Sequence, residues 1–225
     1  MIEEIKEKLR ELSTTKTQNF SCKLIPNSLP IVGCKFPDLR KLAKEICKGE
    51  YQIFLKEYDA SSFELQLLYA YVISGAKMSI EDRINYLREF VPTIIDWAVC
   101  DGLISSLKCT KKYPEEMFNF ILEYQNSHRE FEVRFLAEML MAYYLTPEHV
   151  EEAVQIIVTL DIEAFSAKMG VAWVIATLMI HYKDMALYLL EQIKDPITIG
   201  MAIRKIRDSY RISKEVKEEV LFYKK

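Results

Sequence analysis

Two stretches decide the fold: FEVRFLAEMLMAYYL, residues 131–145, and FSAKMGVAWVIATLM, residues 165–179. Both are too long for a strand, and neither shows the alternation that marks one. Each is apolar on most sides, as expected of a helix buried between neighbouring helices. Working outward, more polar helices with clear start signals flank them. Ser79 precedes IEDRINYL, a predicted N-cap with acids in the first turn. Tyr113-Pro114-Glu-Glu and Thr146-Pro147-Glu-His place Pro at a first helical position, and Asp195-Pro196 starts another helix. Helices are therefore predicted to begin near Ser79, Pro114, Pro147 and Lys183, roughly 33–36 residues apart, a spacing typical of helical repeats. A second helix is predicted inside each interval, near Thr93, Glu130, Asp161 and Pro196. The expectation is an all-α, right-handed α–α superhelix of HEAT-like or ARM-like repeats, forming one domain over residues 1–225. The more apolar second helices are expected to form its inner layer.

Charge and composition narrow the function. The chain has 30 Lys and Arg against 33 Asp and Glu, a net charge of −3. Nucleic-acid binders usually carry a basic surplus, so DNA binding requires a local basic face on an acidic body. The longest apolar run, Met169 to Met179, is well short of the roughly 20 residues that span a bilayer. The opening MIEEIKEKLREL is a charged amphipathic helix without an apolar signal core, so a cytoplasmic location without membrane contact is expected. Cys22, Cys34, Cys47, Cys100 and Cys109 are odd in number and include no CxxC, which argues against a disulfide framework or a zinc site. No phosphate-cradling glycine motif, HExxH or G-x-S-x-G elbow occurs, and His128, His149 and His181 are scattered.

The residues that stand out lie on the predicted inner helices. In IIDWAVCDGLISS, Trp97 and Asp101 are four apart and share a helix face. A carboxylate beside an indole on an apolar helix is costly unless it is paired or opens on a groove. Arg134 interrupts the next inner helix, and Lys168 precedes Trp173 on the one after. Each has a bland reading as well. The tryptophans read equally as core, Asp101 as a solvated turn before Gly102, and Lys168 as a snorkelling side chain. Arg134, between Glu130 and Glu138, reads as a surface ion pair contributing a few tenths of a kcal/mol.

At this point a resemblance enters. IVGCKFPDLRKLAKEI resembles an early block of the DNA alkylation repair glycosylase family, with Gly33, Pro37, Arg40, Leu42 and Lys44 as the matching residues. DWAVCD is similar to that family's W-x-x-x-D motif, VRFLAEML to its arginine helix, and FSAKMGVAW to its later tryptophan helix. IRKIRDSYRIS looks like its closing helix, and the blocks run in family order over nearly the whole chain. The resemblance implies a monomer without metal or cofactor that excises N3- and N7-alkylated purines from double-stranded DNA. It implies Asp101, Trp97 and Trp173 as catalytic residues, and Arg134, Phe165, Lys168 and Arg40 as DNA contacts. Two departures accompany it. Ser13 to Asn27, STTKTQNFSCKLIPN, reads as turn-rich, so the family's second helix is expected to be missing or curtailed, with Phe20 its one aromatic. Ala176 stands where active relatives carry a basic residue. The alternative is a catalytically weak or inactive HEAT-like scaffold that binds nucleic acid or protein.

Overall fold

The computed structural model describes residues 1–224, and every regular element among them is a helix. They fall into two compact units, Met1–Met117 and Phe118 onward. The first unit contains α1 (Ile2–Leu12), α2 (Thr15–Leu24), α3 (Phe36–Lys48), α4 (Tyr51–Lys56), α5 (Phe63–Gly75), α6 (Ile80–Phe90) and α7 (Trp97–Ser106). After α8 (Pro114–Ile121), the second contains α9 (Glu130–Met139), α10 (Val150–Thr159), α11 (Phe165–His181), α12 (Lys183–Gln192), α13 (Pro196–Asp208) and α14 (Lys214–Glu219). In unit 1, α5 packs between α3 and α7; in unit 2, α11 packs between α9 and α13. Helices that link these inner elements pack on them, α6 on α5 and α12 on α11. The chain is thus an all-α helical repeat. None of its helices is long and apolar enough to cross a membrane among the described residues.

The helix boundaries follow local chemistry. Ser79 caps α6 by accepting from the Asp82 amide at 3.0 Å, and Asp195 caps α13 through Thr198 at 2.7 Å. Three starts fall later than the sequence predicts, among them α11, which begins at Phe165 rather than near Asp161. Pro147 lies in a turn closed by the His149 amide on the Thr146 carbonyl, so α10 begins at Val150. Thr93 ends a 3₁₀ turn, and α7 waits for Asp96, whose carboxylate caps it through the Val99 amide at 2.9 Å. The central helix of unit 1 buries almost everything: Phe63 to Ser74 of α5 are all buried.

The expectation for residues 13–27 is overturned, because α2 is a full ten-residue helix. Its Ser, Thr and Asn content favours turns, yet Thr14 caps it by accepting from the Thr17 amide at 3.2 Å. Tertiary bonds then supply what propensity does not. Gln18 Nε2 donates to the Ile31 carbonyl at 2.7 Å, and the Thr14 amide to the Gly33 carbonyl at 3.0 Å. Gly33 takes φ +108°, where a Cβ would sit 2.8 Å from both Gln18 Cβ and the Thr14 carbonyl oxygen. This explains the glycine of the early sequence block.

The same loop is held from below by Glu64. Its buried carboxylate accepts the amides of Val32 at 2.9 Å, Gly33 at 2.7 Å and Cys34 at 3.2 Å. Glu64→Ala leaves these donors without their acceptor, so a loss of about 2–3 kcal/mol in urea unfolding is expected. A change below about 0.5 kcal/mol, the range of ordinary surface substitutions, contradicts this role.

Candidate active site

In unit 1 the site begins at the N-terminus of α7. Asp96 is buried; besides capping the helix it accepts a 2.5 Å hydrogen bond from Ser28 Oγ, which ties α7 to the loop after α2. Burial pushes the Asp96 carboxyl above its ordinary value of 3.8; the Asp101 charge acts in the same direction, against the lowering effect of the Ser28 and Val99 bonds. Trp97 follows, 40% exposed although its neighbours Ala98, Val99 and Cys100 are buried. Asp101 lies one turn on, half-buried, and Ser105 one turn further, exposed. Residues 97, 101 and 105 therefore form one stripe along α7. Behind them Gly102 allows a close approach, since a Cβ there would meet Leu67 Cδ1 at 2.6 Å. An open indole and a carboxylate are thus presented by a helix whose back is locked into the core.

Arg40 is brought to the far end of this helix. Its guanidinium lies 4.5 Å over the Tyr71 ring, and Nη1 donates to Ser106 Oγ at 3.3 Å. Arg40 itself is exposed.

The candidates of unit 2 have different settings. Trp173 is 39% exposed on α11, with Lys205 Nζ from α13 4.9 Å over its ring. Phe165, the first residue of α11, is 63% exposed. Lys168 is mostly buried and ion-paired to Asp195 at 3.0 Å. Arg134 is not on the surface: it is 3% exposed, and Nη2 lies 2.6 Å from Glu138 Oε1, itself buried. Nη1 donates to the Ser166 carbonyl at 3.2 Å, and the Ser166 amide donates to Glu130 at 2.7 Å. Arg134 and Glu130 together hold the first turn of α11, and with it the exposed Phe165.

Asp96 is the residue that the sequence reading passed over. An Asp directly before the first apolar residues of a helix is an N-cap signal, which Asp96 carries in IIDWAVCD. Its raised pKa carries a pH prediction. Between its ordinary value and its folded one the native state holds a proton that the unfolded chain releases, so stability falls as pH rises through that window. Asp96→Asn removes this titration. Wild type should therefore gain stability relative to the variant as pH is lowered through the window in parallel urea melts. A difference that stays constant with pH contradicts the burial account.

An all-α helical repeat with a surface indole–carboxylate pair on an inner helix is the class of protein that fold and site define. The chain belongs to the DNA alkylation repair enzyme family, whose model matches residues 5–206. That span includes all the candidate residues above and stops before α14. No curated protein matches the chain.

Proposed function

We propose that the protein is a DNA glycosylase that excises N3- and N7-alkylated purines from double-stranded DNA, with Asp101 as the catalytic carboxylate. The observation that carries this reading is the pairing of a 40%-exposed Trp97 with Asp101 one turn away, on a helix otherwise committed to the core. Burial drives indoles inward, so an open one on such a helix points to a ligand.

The chemistry suits a cationic lesion. Breaking the C1′–N bond sends its electron pair into the alkylated purine, which departs neutral and leaves oxocarbenium charge on the deoxyribose. Asp101 stabilises that charge by fixed electrostatics, and a water adds at C1′ with its proton passing to the carboxylate or to solvent. Trp97 offers a π face to the cationic purine or the sugar, a contact of about 0.5–2 kcal/mol. Trp173 and Phe165 are proposed as further aromatic contacts to DNA. Arg134 acts through position, by holding the start of α11, since its guanidinium is enclosed. Arg40 contacts the backbone.

The mechanism predicts selectivity by charge. Duplexes containing 7-methylguanine or 3-methyladenine should lose the base, whereas a neutral lesion such as hypoxanthine should not. Equal release of neutral and cationic bases, measured by chromatography of the freed purines, overturns the electrostatic mechanism. DNA binding with no release of either leaves the scaffold reading.

A further inference from the structure

Helix α13 has an inner neighbour on one side only among the described residues. Where α11 packs between α9 and α13, α13 has α11 and, beyond that, chiefly the short α14 and the 3₁₀ turn Val220–Tyr223. Its buried residues Ile199, Ala202, Ile203 and Ile206 define the side turned to the core. At about 100° per residue, Ile197, Gly200, Met201, Arg204 and Arg207 fall on the opposite side. They line a groove of about 880 Å³ within unit 2, whose other wall includes Lys214, Lys217 and Leu221.

Three features of this groove are unexplained by the fold. Its floor is apolar yet open: Ile197 is 55% exposed, and Met201 and Leu221 are half-buried. Gly200 lies inside α13, where glycine is less favourable than alanine, yet a Cβ there would meet nothing within 4 Å. No contact among the described residues therefore requires a glycine, whereas a partner laid against the helix would. The rim is basic: Arg204, Arg207, Lys214, Lys217 and Lys224 stand against two carboxylates, Asp208 and Glu218. None of these cations makes an ion pair among the described residues, unlike Lys168 and Lys183 of the same unit. The helix dipole accounts for Arg207 in the last turn of α13, but it disfavours Lys214 at the start of α14.

We infer that this groove docks an acidic amphipathic helix of a partner protein, lying along the open side of α13. Ile197 to Arg207 spans about 15 Å, close to three helical turns. A partner helix of that length sets apolar residues at i, i+3, i+4 and i+7 against Ile197, Met201 and Leu221. Gly200 lets its backbone approach closely, and flanking Asp or Glu residues meet the basic rim. A nucleic-acid backbone fits less well. It has no apolar face for the floor, and Asp208 and Glu218 would lie against its phosphates. The inference does not rest on the glycosylase reading, and α14, one wall of the groove, lies outside the family match over residues 5–206.

The test uses the full chain to select from phage-displayed random peptides of about 16 residues, long enough to form a helix, with counter-selection on Gly200→Gln. Gln suits a helix better than glycine and fills the space it leaves, so this variant should unfold in urea no earlier than wild type. Enriched peptides should carry apolar residues at i, i+3 or i+4 and i+7, with Asp or Glu beside them. The most enriched peptide, made with a fluorescent label, is then followed by anisotropy. It should bind at least about tenfold more weakly to Gly200→Gln and to Arg204→Glu/Arg207→Glu. Lys8→Ala, in unit 1 and paired with Glu45, should bind it as wild type does. No enrichment over the counter-selection overturns the proposal, as does an enriched peptide without acids or one that both groove variants bind normally. Sedimentation and duplex titration cover the other occupants. A wild-type dimer that Gly200→Gln dissolves assigns the groove to a second copy and overturns the partner helix. Duplex binding lost in Arg204→Glu/Arg207→Glu, with no peptide enriched, assigns the groove to nucleic acid and overturns it as well.

Discussion

Asp101→Asn is expected to slow the release of 7-methylguanine from methylated duplex DNA by about 100- to 1000-fold under single-turnover conditions. That corresponds to about 2.7–4 kcal/mol of transition-state stabilisation, the range for removing one preorganised electrostatic group. The substitution keeps the size and planarity of the side chain, removes its charge and turns one acceptor oxygen into an amide donor. The cap and the seat of the helix lie on other residues: α7 is capped by Asp96 and seated against α5 through Gly102. Urea unfolding should therefore move by no more than about 1 kcal/mol, well below the effect on release. Binding to undamaged duplex should persist, because the substitution removes no positive charge. Loss of release together with loss of stability assigns Asp101 to structure. Full release in the variant removes it from the chemistry.

The second large effect concerns Arg134. Arg134→Ala is expected to destabilise the protein by about 3–5 kcal/mol, because it leaves the buried Glu138 carboxylate without its guanidinium partner. The Ser166 carbonyl loses its donor as well, which loosens the first turn of α11. The double variant Arg134→Met/Glu138→Leu separates the two roles of the pair. Replacing a buried ion pair by apolar side chains of similar size is often neutral or stabilising, so stability should return to near wild type. If Arg134 serves only to hold α11, base release should return with it. If release stays low in a stable double variant, the guanidinium itself acts on DNA. A single variant that loses only a few tenths of a kcal/mol contradicts the buried-pair geometry.

These two residues also show what was legible beforehand. The spacing that places Trp97 and Asp101 on one face is a property of any helix, and α7 was visible in its apolar sequence. That the indole would be open could not be read, because exposure depends on what α5 covers. Arg134 shows the opposite limit. Glu130, Arg134 and Glu138 at four-residue spacing look the same on a surface helix as on a buried one, and the two cases differ by more than tenfold in energy. The N-caps at Ser79 and Asp195 were legible because capping is local chemistry. Helix α2 was not, since the bonds that offset its weak propensity come from Ile31 and Gly33 across a loop.

The central claim is that this helical repeat cleaves the glycosidic bond of a cationic purine. Its most direct test is the quantity of free 7-methylguanine and 3-methyladenine that purified wild-type protein releases from methylated duplex DNA, beside Asp101→Asn and a buffer control. Release by wild type well above buffer, falling to near the buffer level in the variant, is the predicted result. Release by wild type no greater than buffer contradicts the claim.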